Sequence, residues 1–258
     1  VELLFIIFTA FGASLLTFYS GFGLGTLLTP VFVLFFPVET AIALTAIVHL
    51  LNNLFKAVLT RGKADYSAVL KFGIPSFAGA FAGTSLLLYL VDLHPVTSFT
   101  LSGQHIHVTM LEVTAGLMLI VFAFLETSLS RISVNGKPAR LYAGGLLSGF
   151  FGGLSGHQGA LRSLFLSRMV PDKEVFVASG ILISLFVDVT RIAGYTQGFL
   201  MDAAHVHSSV LAAAVAAAFC GAWVGNRYLG KVAMETVQVV VKWGIIAIGL
   251  YTVARAFS

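Results

Sequence analysis

The sequence predicts an all-α polytopic membrane protein of two inverted-topology repeats, each a broken, re-entrant helical hairpin followed by three transmembrane helices. Three observations lead there. The first is composition: of 258 residues, 58% are hydrophobic and only 10% are Asp, Glu, Lys or Arg, and the mean hydropathy is +0.96. A soluble domain carries about 25% charge, so this chain has too few charges to cover a water-facing surface. The second is run length. The apolar stretches approach the roughly 20 residues that a helix needs to cross a bilayer. A β-barrel would alternate apolar and polar residues in short segments, whereas a helix satisfies its own backbone in lipid. The third is that one order of short and long runs occurs twice.

In order, the candidate segments are 1–20, 23–36, 38–59, 68–90 and 108–124, then 141–156, 159–170, 175–195, 209–229 and 237–257. The run 1–19 lacks a basic leader and a clear cleavage site, and is read as part of the mature protein. Segments 23–36, 141–156 and 159–170 are short and sit beside the clusters Gly21-Phe-Gly-Leu-Gly25 and Gly152-Gly-Leu-Ser-Gly156. Glycine-interrupted short segments in equivalent places point to a transporter's binding site; the other reading is close helix packing. The first repeat is 1–126, a cytoplasmic linker is 127–140, and the second repeat is 141–258. Pro37-Val-Glu and Pro171-Asp-Lys follow the two broken segments. Asn53-Leu-Phe-Lys56 then matches Asp188-Val-Thr-Arg191, and Gly79-Ala-Phe-Ala-Gly83 matches Gly221-Ala-Trp-Val-Gly225. Matches kept in this order point to duplication.

Charge sets the orientation, since Lys and Arg concentrate in cytoplasmic loops. Arg61, Lys63, Arg131, Lys137, Arg140, Arg168, Lys173, Arg227 and Lys231 fall in one set of connections, while 36–39, 91–107 and 196–208 carry none. The loop 60–66 is therefore inside and its repeat partner 196–202 outside, so the repeats are inverted. Both termini are then outside. Arg255, at the outer end, departs mildly from this pattern.

Other classes are excluded by what is missing. Fifteen Lys and Arg spread over so apolar a chain form no basic stripe, so nucleic acid is not a partner despite the pI of 9.3. The lone Cys220 forms no internal disulfide and no cysteine-based metal or iron–sulfur site. No GxxxxGK[ST] loop is present, so the chain carries no ATPase motor. An enzyme is not expected: Ser155 lies near His157, but no third group orients them. No cofactor and no metal are expected, and His94, His105, His107, His205 and His207 read as solvated interface histidines.

The remaining polar residues suit an anion. A half-helix starting at mid-membrane aims its N–H groups and about half a positive charge at whatever lies before it. Glycine lets the backbone approach a ligand. Gly25 and Gly159 open two such half-helices, entering from opposite sides, and Thr26 and Gln158 stand beside them as ligand contacts or helix caps. Arg162, one turn into the second, either grips an oxyanion, pairs with Asp188 or snorkels to the cytoplasmic face. His157 either hydrogen-bonds or carries a proton. Asn52 and Asn53 either line the pathway or join helices, and His49 shares their stripe. Asp188 and Arg191 are spaced to pair; Asp188 is otherwise a candidate proton carrier. Lys56 reads as snorkelling at the inner end, and Glu112 as interfacial.

Gly21-Phe-Gly-Leu-Gly-Thr-Leu-Leu-Thr-Pro30 resembles the first Gly-rich, Pro-ended motif of the sulfite exporter TauE/SafE (TSUP) family. Gly149-Phe-Phe-Gly-Gly-Leu-Ser-Gly-His-Gln-Gly-Ala-Leu-Arg-Ser-Leu-Phe-Leu166 resembles its second motif, and Arg61-Gly-Lys-Ala-Asp-Tyr66 its inner loop. The resemblance covers essentially the whole chain. It implies transport of a small sulfur-containing anion, of the sulfite, thiosulfate, sulfonate or sulfoacetate type, in a prokaryotic plasma (inner) membrane. The leading expectation is a secondary transporter working by alternating access, with substrate held at the midplane between two half-helix N-termini; the alternative is an anion channel with the same site. Either H+ or Na+ fits as coupling ion: Asp188, His157 and His49 permit protons, and broken-helix carbonyls permit sodium. Small-residue runs such as 212–218 pack equally well within or between protomers, which leaves the oligomeric state open.

Overall fold

Two glycines in the left-handed region of backbone space punctuate the chain: Gly23 at φ 126° and Gly156 at φ 83°. The computed structural model describes residues 2–20, 23–93, 97–101, 104–128, 138–167, 169–196, 203 and 207–228. Helix α1 spans Glu2–Ser20, and α2, Leu24–Val33, begins directly after the Gly23 turn. Helix α3 is Val38–Leu59 and α4 is Tyr66–Val91. Asp65 caps α4 by accepting from the Ala68 N–H at 3.1 Å, which satisfies one of the orphan donors of a helix start.

Strands β1 (Thr97–Leu101) and β2 (Gln104–Val108) pair antiparallel. The sequence pattern places an outer loop here, in an all-α chain. Thr97, Phe99, Thr100, Ile106 and Val108 are the β-branched and aromatic types that favour strands, and they make a short hairpin. Helix α5, Met110–Ser128, starts at a capping box. Glu112 accepts from the Thr109 N–H at 2.8 Å, and the Glu112 N–H donates back to Thr109 Oγ1 at 3.2 Å. Glu112 is thus a capping residue as well as an exposed one.

Helix α6, Pro138–Ser155, begins three residues before the expected start, with Pro in the first helical position that suits it. Helix α7, Gly159–Leu166, follows the Gly156 turn. Helix α8 is Lys173–Tyr195, capped by Asp172 through the Val175 N–H at 2.9 Å, and α9 is Ser208–Tyr228. Among the described residues, α3, α4, α8 and α9 are long and apolar enough to cross a membrane. The chain is a multi-pass, helical membrane protein. Leu70, Ile74, Phe77 and Phe81 form an exposed apolar stripe along α4, as a lipid-facing surface requires. The expected segment 237–257, Arg131, Lys137, Arg168, Lys231 and His205 lie outside the described residues.

Packing is tightest along two seams. Helix α4 lies along α6, and α1 along α9. A Cβ placed on Gly145, Gly149 or Gly153 of α6 would strike the α4 backbone at Phe72, Ser76 and Ala80; one on Gly79 or Gly83 would strike the α6 backbone at Leu146 and Phe150. On the other seam, Gly221 and Gly225 of α9 press on the α1 backbone at Phe11 and Leu15. Small residues that let backbones touch supply van der Waals packing where lipid gives no hydrophobic drive. Helices α3 and α8 cross between the seams, with α2 against α3 and α7 against α6.

Candidate functional site

One face of α3 carries His49, Asn52, Asn53 and Lys56, all buried, and one face of α8 carries Ser184, Asp188 and Arg191, also buried. The i, i+3, i+4, i+7 spacing puts each set on a single stripe, and the α3–α8 crossing brings the stripes together. Asp188 is the meeting point. It accepts from His49 Nδ1 at 2.8 Å, from Asn53 Nδ2 at 2.8 Å and from Gln158 Nε2 at 3.3 Å. Arg191 Nε lies 3.4 Å from its Oδ1, the i, i+3 pairing that the spacing suggests. Together these contacts occupy both oxygens of a fully buried carboxylate, which is the condition for keeping it charged away from water.

Beside this cluster is a cavity of about 450 Å³, its open mouth included. Its wall is made by the end of α1 (Thr17, Phe18), the start of α2 (Gly23, Gly25, Thr26), α3 (His49, Asn53, Lys56), the break before α7 with its first turn (Gly156, Gln158, Gly159, Arg162) and the first half of α8 (Val177, Ile181, Ser184). The starts of α2 and α7 thus reach one space, and they touch: a Cβ on Gly25 would sit 2.7 Å from the Gly156 carbonyl oxygen. Neither start carries a side-chain cap. The Gln158 side chain goes to Asp188 instead, and Arg162 Nη1 donates to Ser184 Oγ.

Of the residues singled out from sequence, Gly25, Thr26, Asn53, Gln158, Gly159, Arg162 and His49 line the cavity, and Asp188 holds three of them from behind. Asn52 lies on the neighbouring α1 side. Its amide, turned to satisfy its partners, donates to Ser14 Oγ at 3.0 Å and to the Ala218 carbonyl at 3.2 Å, and accepts from Lys56 Nζ at 3.1 Å. Asn52 therefore ties α1, α3 and α9 together. His157 is buried under the Phe122 ring, centroids 5.2 Å apart, with Nδ1 3.0 Å from Ser155 Oγ; it is not among the cavity-lining residues.

Lys56 and Ser184 are among the lining residues that were not foreseen. Lys56 does not snorkel: it is 1% exposed, its Nζ donates to the Ser14 carbonyl at 3.1 Å, and it sits 5.0 Å from the Phe18 ring centroid. The tip of α1 covers the place where a lysine near a helix end would otherwise reach water. Its signal was there, since it stands one turn beyond Asn53 on the His49 stripe. Ser184 is the other, one turn before Asp188. Among the described histidines, His207 packs on Phe36 with ring centroids 4.4 Å apart.

The cavity lies toward the end of the molecule where the connections after α3 and before α8 meet. There Lys63 Nζ donates to Glu174 Oε2 at 2.8 Å, and the Asp65 N–H donates to Ser179 Oγ at 2.9 Å. By chain position this is the Arg61–Lys63 end.

The model of one protein family, described as Sulfite exporter TauE/SafE, matches residues 6–252, which takes in both seams and every residue of the cavity wall. No curated protein and no solved structure matches the chain. With nearly its whole length matched, the chain belongs to the sulfite exporter TauE/SafE family.

Proposed function

We propose that the chain is a secondary transporter that moves a small sulfur-containing anion, of the sulfite, thiosulfate, sulfonate or sulfoacetate type, across a prokaryotic plasma membrane. One observation carries the reading: two helix starts without side-chain caps, at Gly25 and Gly159, share a cavity with the Arg162 guanidinium. Their leading N–H groups and partial positive charge suit an oxyanion, and a guanidinium adds charge-assisted hydrogen bonds. Substrate sits between the starts, and alternating access moves it.

The architecture we propose is two inverted repeats with both termini outside. It is supported by equivalent contacts. Gly79 and Gly83 meet α6 as Gly221 and Gly225 meet α1, and the repeat-matched Asn53 and Asp188 meet each other. In this reading, the His49–Asp188 pair is where a coupling proton would reside.

The test is ligand-induced thermal shift of the purified protein with sulfite, thiosulfate, sulfate, sulfoacetate, taurine and amino acids. Sulfur anions should raise the melting temperature and amino acids should not. Arg162→Ala should weaken anion binding about 10- to 100-fold, the worth of a charged hydrogen bond in a dry site, while the protein still inserts and folds. Wild-type affinity in that variant would assign Arg162 to structure. Unitary currents in bilayer recordings would mark a channel in place of a carrier.

A further inference from the structure

The polar stripes that line the cavity continue beyond it for one more turn. Thr26 of α2 and His49 of α3 are lining residues. Thr29 follows Thr26 by three positions and Thr45 precedes His49 by four, so each stays on its stripe. Both stand one turn, about 5 Å, farther from the Arg61–Lys63 end. The α2–α3 hairpin turns just before Pro37, and the two threonines are equally far from it along the chain, which puts them at about one depth. Both are buried, and neither hydroxyl has a hydrogen-bond partner. Ser76, Ser155, Ser184 and Thr190 are also buried in helices, and each donates to the carbonyl four residues back. Thr29 and Thr45 have the same option and do not take it. The other buried side chains of α2 beyond Thr26, and of α3 before His49, are apolar. An unpaired hydroxyl in such surroundings costs stability, so folding supplies no reason for either one.

The repeat match supplies a reason. Aligning Asn53 with Asp188 carries Val177, Ile181 and Ser184 of α8 onto Ile42, Ala46 and His49 of α3. The α8 stretch lines the cavity, whereas Ile42 and Ala46 are buried, with Thr45 between them. In a carrier of inverted repeats the two halves exchange roles as access alternates. We propose that Thr29 and Thr45 line the outer half of the path. When the cavity closes at the Arg61–Lys63 end and opens at the other, their hydroxyls donate to the passing anion. The inference rests on the transport reading above and adds to it the half of the path that is shut in this structure.

The test is flux of radiolabelled sulfite and thiosulfate in proteoliposomes of the full chain, with melting temperature measured on the same preparations. Thr29→Val and Thr45→Val remove the hydroxyl and keep the shape. Each should leave the melting temperature unchanged or raise it, because the lost hydroxyl had no partner. Each should slow flux about tenfold or more, the worth of a hydrogen bond to a charged group. Thr29→Ser and Thr45→Ser should keep flux near the wild-type rate. Wild-type flux in both Val variants overturns the proposal and leaves anion transport standing. So does a lowered melting temperature or failed folding in both, which would give the hydroxyls to structure, and so does equal slowing by Ser and Val. A wild-type protein that carries neither anion removes both readings.

Discussion

Gly25 shows how much one missing side chain does here. Its hydrogen faces the Gly156 carbonyl, so it seats the start of α2 on the break before α7, and the ligand space inherits both. Gly25→Ala should therefore cost stability as well as anion affinity, about 1–3 kcal/mol for an overpacked contact that only backbone can relieve. Gly12, in α1, has open space where a Cβ would stand, with nothing within 4 Å. Gly12→Ala should be neutral or stabilise by up to about 1 kcal/mol through helix propensity, with affinity intact. Melting temperature and anion binding on the same preparations check both, and a Gly25→Ala protein of unchanged stability would contradict the seating argument. At this scale the sequence was readable wherever spacing along one helix sufficed. Asp188 and Arg191 pair at i, i+3, and His49 and Asn53 share a face. Lys56 was misplaced because its burial is decided by Ser14 and Phe18 of another helix, which no local rule brings to mind.

The α4–α6 seam is the element on which the site is mounted, because α6 ends at the break that presents Gly156 and Gln158. Five glycines hold it at backbone contact, and Tyr195 Oη donates to the Gly153 carbonyl at 2.6 Å across its edge. Gly149→Val should force the helices apart and lower stability by about 1–3 kcal/mol or more. Gly116→Val in α5, where nothing lies within 4 Å, should change stability by less than about 1 kcal/mol, since propensity favours Val over Gly. A thermal denaturation series in one detergent separates them, and equal losses would dissolve the seam as a stabilising device. The helices were legible as elements because apolar runs, Gly clusters and caps are all local. Two things were not. The β1–β2 hairpin was hidden by its place between two long apolar runs, and the Thr109–Glu112 box was read only as an interfacial carboxylate.

For the whole molecule, the asymmetry of charge between the two sets of connections makes an orientation test. On a Cys220→Ala background, Thr196→Cys should react with an impermeant maleimide added outside, and Arg61→Cys only after the membrane is opened, since Lys and Arg concentrate on the cytoplasmic side. Both residues are exposed. Labelling of both from one side would refute the inverted arrangement. The order of helices could be read from hydropathy. Which helix leans on which could not, because α1 with α9 and α4 with α6 are joined across the chain. The GxxxG spacing marks a surface for close approach but does not name its partner.

That crossing has a consequence in time. The α1 surface that Gly221 and Gly225 press on has no counterpart until α9 is made, and α9 begins at Ser208. At about 5–20 residues per second, α1 waits in the membrane for on the order of ten to forty seconds before the helix it fits emerges. Through that interval it is held by its hydropathy and by its contacts with α2 and α3, and only then is this surface clasped. A ribosome that stalls after α8 leaves a chain with the α3–α8 polar cluster assembled and one flank of it open to lipid. Truncation near the C-terminus is therefore felt first at the opposite end of the sequence.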